Sequence, residues 1–154
     1  MRRLCRVGVI LLFALGCFPA ILSAQDRGNS SSTGVRERGV RLGQNYPNPF
    51  NPTTRIPFEL GEELFEGGEP VHVTIRIYNV LQQLVAIPKA LNHELGNGLP
   101  VDGLEYTTPG RKEAYWDGTD RDGRQVASGV YLAQIVVRTS SGVLTDVRKM
   151  VVAK

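Results

Sequence analysis

The strongest constraint on the fold is an alternation of apolar and polar residues with a period of two. It is clearest in residues 71–79, VHVTIRIYN, where every second residue from Val71 to Ile77 is Val or Ile. Such alternation predicts strands with one face in a core and the other in solvent. Shorter versions occur in residues 54–60, 84–88, 112–116, 129–138 and 143–154. Since no helical period persists, about seven short strands separated by turn residues predict an all-β chain that forms an antiparallel β-sandwich.

Two residues and one segment indicate how these strands are arranged. Pro57 cannot donate a backbone hydrogen bond to a neighbouring strand, so the strand 54–60 is predicted at a sheet edge. Trp116 ends an alternating strand and is the only tryptophan, so we expect its ring to fill the core. Residues 89–110 are rich in Gly, Pro and Asn and are predicted to form a long loop of the kind that is often functional.

The last predicted strand changes its pattern along its length. Val143 and Val147 share one face, whereas Met150 and Val152 fall on the opposite face. A β-bulge at residues 148–149 would return both pairs to the core, because one extra residue reverses the alternation. We therefore predict a bulge there.

Residues 45–54, NYPNPFNPTT, contain three prolines and three asparagines. Each proline fixes φ and removes a donor, and each residue before a proline favours extended backbone. The segment is therefore predicted to be a stiff lead-in, covering residues 45–53, and neither a helix nor a central strand. At little entropic cost, such a lead-in can lie along the sandwich while Tyr46 and Phe50 pack onto it.

The N-terminus has the order of a secretory signal peptide. MRRLCR is basic, VGVILLFALGCF is apolar, and LSAQ offers a cleavage site after Ala24. The alternatives are an uncleaved anchor, for which the apolar run is short, and a lipoprotein acylated on Cys17, for which Ala14 replaces the usual larger aliphatic residue. Residues 25–41 are polar and charged and are predicted to form a disordered linker. This division leaves residues 42–154 as the folded domain.

Removal of residues 1–24 changes the charge and the cysteine content. The whole chain has 18 basic and 15 acidic residues, and three arginines leave with the signal, so the mature chain is neutral. The basic balance therefore gives no support for a nucleic-acid partner or an anionic membrane partner. Both cysteines also lie in residues 1–24, which excludes a disulfide or a thiol nucleophile in the mature chain.

The sequence WDGTDRDG contains the richest group of polar side chains. Asp117, Asp120 and Asp122 could offer oxygen ligands to calcium, although the spacing is not that of an EF-hand loop. The favoured interpretation is a pair of tight turns, with the aspartates accepting backbone N–H bonds and Gly118 and Gly123 supplying positive φ. No cofactor or metal is expected.

Three further residues are of types that can act in catalysis or bind metals. His72 is predicted on the outward face of a strand and His93 in a loop, and neither has a ligand or base at a suitable spacing, so both are expected to be solvated. Ser128 lacks a nucleophile elbow and a neighbouring base. Nothing assembles a catalytic constellation, so the chain is predicted to be non-enzymatic.

Four motifs occur in an order known from one family. LGQNYPNPFNPTTRIPFEL, VTIRIYNVLQQLV, WDGTDRDGRQVASGVYLAQI and the closing RKMVVAK resemble the type A C-terminal sorting domain of the type IX secretion system. That domain is similar to the immunoglobulin-like (Ig-like) domain of the flagellar hook-capping protein. The resemblance covers residues 42–154. The matching motif residues are Asn48, Pro49, Phe50, Asn51, Pro52, Trp116, Asp117, Gly118, Gly123, Gly129 and Tyr131.

The resemblance implies an Ig-like sandwich that acts as a secretion signal. Such a domain is recognised by an outer-membrane translocon and can be removed by a sortase-like protease. The chain would cross the periplasm and reach the cell surface or the medium, with no nucleic-acid partner and no membrane span after signal cleavage. Recognition in the family is tied to the closing strand. The corresponding residues here are Lys149, Met150, Val151, Val152 and Lys154.

The sequence also departs from the family. Gln82 stands where the family often has Gly, the segment 89–110 is longer than usual, and only a linker lies between Ala24 and Leu42, with no cargo. The alternative function is therefore a free-standing structural or adhesion module, or a surface lipoprotein. Such a module would hold a partner by strand addition or through residues 89–110.

Overall fold

The computed structural model describes residues 39–154, which form two antiparallel sheets and one 3-10 helix. The strands are β1 (Val40–Leu42), β2 (Thr54–Leu60), β3 (Val71–Asn79), β4 (Leu84–Ala86), β5 (Lys89–Leu91), β6 (Leu104–Tyr106), β7 (Gly110–Trp116), β8 (Gly129–Thr139) and β9 (Gly142–Val152). The helix spans Glu62–Phe65. The all-β sandwich prediction is confirmed. The described residues have nine strands and not about seven, because β1, β5 and β6, which the sequence did not reveal, have three residues each, too few to show a period.

The first sheet has the order β1-β2-β7-β5, and the second has the order β4-β3-β8-β9, with β6 also paired to β3. The predicted alternation positions form the core between the sheets. The alternating apolar residues of β3, from Val71 to Ile77, are all fully buried, and they belong to the same core as Phe58 and Trp116 of the first sheet, at 2% exposure each. In the described part of the chain, no helix is long and apolar enough to cross a membrane.

The prediction that the Pro57 strand lies at a sheet edge is wrong. β2 lies between β1 and β7, and Pro57 pairs with Glu113. The Pro57 carbonyl accepts the N–H of Gly43 at 2.8 Å. Since the nitrogen and carbonyl of one strand residue point to the same side, the Pro57 nitrogen also faces Gly43, just beyond the end of β1. The backbone donor that Pro57 lacks is therefore opposite Gly43, just beyond the last paired residue of β1.

The folded region begins before the predicted boundary at residue 42. Val40 and Arg41, the last two residues of the predicted linker, belong to β1, and Val40 is buried. The Gly39 carbonyl also accepts the N–H of Gly61 at 2.7 Å. The linker prediction is therefore wrong for these two residues, because pairing with β2 orders them. The predicted signal peptide, residues 1–24 with Cys17, and the rest of the predicted linker, residues 25–38, lie outside the described residues.

The predicted bulge at residues 148–149 is absent, because β9 pairs with β8 without a break from Gly142 to Val152. Val143 and Val147 point outward at 59% and 44% exposure. The uninterrupted register places two charged residues, Asp146 and Arg148, on the same side of β9 as the inward Met150. Both side chains form hydrogen bonds with the backbone of Leu42 in β1. Asp146 Oδ2 accepts the N–H of Leu42, and Arg148 Nε donates to the Leu42 carbonyl, both at 2.8 Å.

Residues 89–110 are not one long loop, because they contain β5 in the first sheet and β6 in the second. Val101, between these two strands, is fully buried. Its carbonyl accepts the N–H of Ile75 at 2.8 Å, and its N–H donates to the carbonyl of Pro88 at 2.9 Å. The segment is therefore held to both sheets.

The prediction that both histidines are solvated holds for His72 and is wrong for His93, which is 9% exposed. The Nδ1 atom of His93 accepts the N–H of Leu95 at 3.1 Å, and Nε2 lies 2.8 Å from the Glu105 carbonyl oxygen. This pair of partners requires a neutral ring with its proton on Nε2. The ring meets Tyr106 edge-on at 4.7 Å. His93 therefore joins the loop to β6.

Candidate functional site

The strand registers bring the family motifs to one end of the sandwich, where β2 and β8 begin and where β3, β7 and β9 end. Three segments that lie far apart in the sequence meet there. They are the lead-in 45–53, the turn 117–128 and the last residues of β9. We call this region the C-terminal end of the sandwich. The β3–β4 turn, residues 80–83, lies at the same end, across an open cleft of about 550 Å³ from Asp120–Asp122.

Three aromatic rings fill the core at this end. The ring centroid of Trp116 lies 5.4 Å from that of Phe50 and 5.6 Å from that of Tyr131. All three side chains are buried, and Trp116 Nε1 donates to the Thr119 carbonyl at 2.9 Å. The burial of Trp116 and the packing of Phe50 confirm two predictions. Such rings supply large buried areas and favourable edge contacts.

The same prediction is wrong for Tyr46, which is 40% exposed. Tyr46 forms a bridge with Arg55, and Arg55 faces solvent on the outer side of β2. The register therefore places the Tyr46 ring on the outer face, where its hydroxyl donates to Glu113 Oε1. Glu113 also pairs with Arg55 at 3.4 Å.

The lead-in pairs with the edge of β9 as a short parallel strand. Phe50 donates its N–H to the Val151 carbonyl and accepts the N–H of Ala153, both at 3.0 Å. Asn48 Oδ1 accepts the N–H of Val151 at 2.9 Å. The peptide bonds Tyr46–Pro47, Asn48–Pro49 and Asn51–Pro52 are cis. The lead-in thus pairs the backbone groups at the last residues of the closing strand, which would otherwise lie unpaired at a sheet edge.

The structure divides the predicted recognition residues between two environments. Met150 and Val152 are buried, at 0% and 3% exposure. Lys149 and Lys154 are exposed, and Val151 is half-buried. The N–H of Lys154 donates to Ser128 Oγ at 3.2 Å, so Ser128 contacts the last residue of the sequence. In the folded domain, a partner can touch the side chains of Lys149, Val151 and Lys154.

Gly118 joins the WDG motif to the lead-in. Its φ is +73°, a conformation that residues with a Cβ adopt at a cost. A Cβ at this position would lie 2.2 Å from the Pro52 carbonyl oxygen. Gly123 has a φ of +78° but no atom within 4 Å of such a Cβ. Both glycines have the predicted positive φ, and Gly118 is also required by close approach.

Asp117 shapes the first part of the turn. Its Oδ1 accepts the N–H and the O–H of Thr119 at 3.0 and 2.6 Å. Burial alone would raise the pKa of Asp117, but the two Thr119 hydrogen bonds and the charge of Lys89 hold that pKa below its ordinary value. The carboxylate is therefore ionised and acts as an acceptor, as the turn interpretation expects.

Asp120 shapes the second part of the turn. Its Oδ1 accepts the N–H groups of Asp122 and Arg124, both at 2.9 Å, and Asp122 pairs with Arg124 at 3.2 Å. These bonds agree with the turn interpretation of the aspartate cluster. Among residues 39–154, no three His, Cys, Asp or Glu side chains form a group that could hold a metal ion.

Gln82 stands where the family that the sequence resembles often has Gly, and its backbone has the conformation that favours glycine. Gln82 has a φ of +60°, which is the left-handed region where glycine is least strained. The turn is held by Asn79, whose Oδ1 accepts the N–H groups of Leu81 and Gln83 at 3.0 Å each. The backbone thus takes the conformation that glycine favours, although the side chain is larger.

Sequence reasoning missed the bonds that Asp146 and Arg148 make to Leu42. A signal for them was present. Met150 and Val152 point inward, so the same alternation places residues 146 and 148 inward as well, and two charged residues at inward positions require polar partners. The partner could not be named from the sequence, because β1 is too short to be recognised.

Two solved structures resemble this chain, each over a small part of its own length. The structure of dimeric latent PorU from Porphyromonas gingivalis matches with 23% identity and a TM-score of 0.53, over 74% of this chain and 9% of PorU. PorZ, described as an essential bacterial surface component of the type-IX secretion system of the same organism, matches with 19% identity and a TM-score of 0.39, over 75% of this chain and 12% of PorZ. No protein-family model and no curated protein matches the chain. The likeness to PorU shows a shared fold.

Proposed function

We propose that this chain is an exported, non-enzymatic β-sandwich that acts as a sorting or surface-attachment module of a type IX secretion system. One observation carries the proposal. The motifs that resemble the sorting-domain family include Asn48 and Val151, which lie 103 residues apart in the sequence, yet they meet around the end of the closing strand. The lead-in orders this strand without covering the outward side chains of Lys149, Val151 and Lys154. The fold shared with PorU is consistent with the proposal.

The proposed partners are an outer-membrane translocon and a sortase-like protease. The translocon would contact the ordered end of β9, and the protease would act where the chain enters the sandwich, ahead of β1. In this function the chain passes through the periplasm and ends at the cell surface or in the medium. The domain contributes a recognisable surface and performs no chemistry itself.

The test inserts a reporter after residue 30 of the full chain, within the predicted linker. The fusion is produced in a host with a type IX system and in the same host without the translocon. We expect the reporter at the surface or in the medium of the first host and in the periplasm of the second. Retention in the periplasm of both hosts would refute the proposal.

A further inference from the structure

The sequence of β8 is apolar on both faces. In residues 130–137, VYLAQIVV, Gln134 is the only polar residue. Tyr131, Ala133, Ile135 and Val137 enter the core. Near-continuous apolar runs are typical of strands that are covered on both sides, yet on the outward side of β8 Val130 is 38% exposed and Leu132 and Val136 are only partly buried.

β9 extends the same outward surface. Register pairs place Val143 beside Arg138, Val147 beside Gln134, and Val151 beside Val130. Val143, Val147 and Val130 are 59%, 44% and 38% exposed. We call this surface the β8–β9 face. Its outward residues are Val130, Leu132, Gln134, Val136, Arg138, Val143, Thr145, Val147, Lys149 and Val151.

The β8–β9 face is also one-sided in charge. It carries Arg138 and Lys149 and no carboxylate, although the whole chain has 15 acidic residues. Within residues 39–154, neither cation has a carboxylate within salt-bridge distance. A largely apolar face whose two cations lack carboxylate partners is the complement of an apolar surface bordered by carboxylates.

The outer face of the first sheet is different. It is charged with both signs and forms its own ion pairs: Arg41 with Glu59 at 3.5 Å, and Glu113 with Arg55 at 3.4 Å. A face whose charges pair among themselves is suited to solvent. On the second sheet, β3 carries the outward ion pair of Arg76 with Asp102 at 3.7 Å. Within the described residues, Arg138 and Lys149 of the β8–β9 face form none, so the contrast assigns the partner surface to β8 and β9.

We infer that the β8–β9 face is the surface by which the export machinery holds this domain, through a protein that presents an apolar patch bordered by carboxylates. The inference rests on the proposed function and names the surface that it uses. It places recognition also at Arg138 in β8 and Val147 in β9, outside the predicted recognition residues at the end of the chain.

Other occupants fit the face less well. Two cations near an anionic bilayer raise partitioning by only about 30-fold, and short valine side chains on a sheet reach little into lipid. A second copy docked face to face would bring Arg138 and Lys149 of both copies together, which like-charge repulsion opposes. A protein with carboxylates at the border satisfies both cations.

The test measures export of the reporter fusion with Val147→Asp and, separately, Arg138→Glu. Neither residue belongs to the predicted terminal recognition set. The matched controls are Leu95→Asp, at an apolar residue with 76% exposure, and Arg41→Glu, on the outer face of the first sheet with 74% side-chain exposure. We expect export to fall at least about tenfold for the two face variants and to be unchanged for both controls.

Folding is checked on the same proteins purified from the periplasm of the host without the translocon. The face variants should melt within about 3 °C of the parent. If Val147→Asp unfolds, the isosteric triple variant of Val130, Val143 and Val147, each changed to Thr, takes its place, because Thr keeps the β-branched shape.

The outcomes separate the two proposals. If the parent fusion is not exported, the proposed function fails and the inference fails with it. If the parent is exported and the folded face variants are exported equally well, the inference alone is overturned. It is also overturned if the purified protein sediments with vesicles of one part phosphatidylglycerol to three parts phosphatidylcholine, or forms dimers, and Val147→Asp abolishes that association.

Discussion

Gly118 is the residue with the narrowest tolerance at the C-terminal end of the sandwich. It needs a positive φ for the turn after Trp116, and it lies against the carbonyl oxygen of Pro52. The two requirements have different origins, because the first belongs to the turn itself and the second to the lead-in that crosses it. Gly123 has only the first requirement, so the pair allows the two effects to be separated.

We predict that Gly118→Ala lowers the free energy of unfolding by more than about 2 kcal/mol, because backbone must move to relieve the contact with Pro52. Gly123→Ala serves as the control and should cost about 1 kcal/mol, the usual cost of a left-handed conformation with a Cβ. Urea denaturation of both variants measures the difference. Equal losses would show that the close approach to Pro52 has no energetic weight.

Asp120 is predicted to stabilise the turn without calcium. Asp120→Ala removes the acceptor of two backbone N–H groups and should cost about 1–2 kcal/mol, whereas Asp120→Asn keeps an acceptor oxygen and should cost less. The melting temperature should be the same in chelator and in millimolar calcium, since a ligand that binds the folded state would raise it. A rise with calcium that Asp120→Ala abolishes would contradict the turn interpretation.

At the scale of elements, the sandwich is closed along one side by side chains and not by a backbone ladder. β1 belongs to the first sheet and β9 to the second, and they meet through Leu42, Asp146 and Arg148. The two side chains also lie 3.7 Å apart. This arrangement lets two sheets meet at their edges without sharing a strand register.

Asp146→Ala should lower the free energy of unfolding by about 1.5–3 kcal/mol, because it leaves the Leu42 N–H without its charged acceptor. Hydrogen exchange at the Leu42 amide should become faster. The control is Asp122→Ala, whose exposed ion pair with Arg124 should contribute less than about 1 kcal/mol. Unchanged exchange at Leu42 would mean that this link does not hold β1.

Tyr106, at the end of β6, allows the packing of the core to be tested through the pH dependence of the free energy of unfolding. It is 4% exposed, meets Phe58 edge-on at 5.7 Å, and burial raises its pKa from 10.0 to about 12. The neutral phenol therefore contributes stability that is fully present below pH 10 and is lost as the pH rises toward 12. Tyr106→Phe should lose less stability than the parent between pH 10 and 12. Parallel pH curves for the two proteins would contradict the assignment.

At the scale of the whole molecule, the described domain has an ordered start and an ordered end that lie in the same β1–β9 region. The described residues begin at Gly39 and continue into β1, which bonds Asp146 of β9. The lead-in that follows then pairs with residues 151–153. Within the described residues, β1 and the closing strand are therefore linked directly. This coupling suits a domain whose proposed role is to carry another segment through export.

The processing prediction concerns the full chain. Mass spectrometry of the exported protein should show a mature N-terminus at Gln25, because LSAQ offers the small residues that signal peptidase requires. A diacylated Cys17 would instead support the alternative of a surface lipoprotein with a structural or adhesion function. The Cys17→Ser variant is the control, since it should leave the Gln25 terminus unchanged.

The sequence alone determined the sandwich class, the long strands and the buried Trp116. These rest on local rules, because alternation with a period of two identifies a half-buried strand wherever it occurs. The turn roles of Asp117, Asp120 and Gly118 were also readable, since short polar side chains and glycine satisfy turn geometry over a few residues. The motif resemblance added the lead-in and the closing strand as related parts.

Only the tertiary structure decided how these parts meet. Whether Pro57 lies at an edge, and whether Asp146 and Arg148 require a bulge, depended on β1, a three-residue strand whose partner is distant in the sequence. The burial of His93 likewise depended on the carbonyl of Glu105 in a neighbouring element. The strands' local pattern cannot name such partners, because a short segment has no period and its hydrogen bonds are satisfied by residues that only the fold brings close.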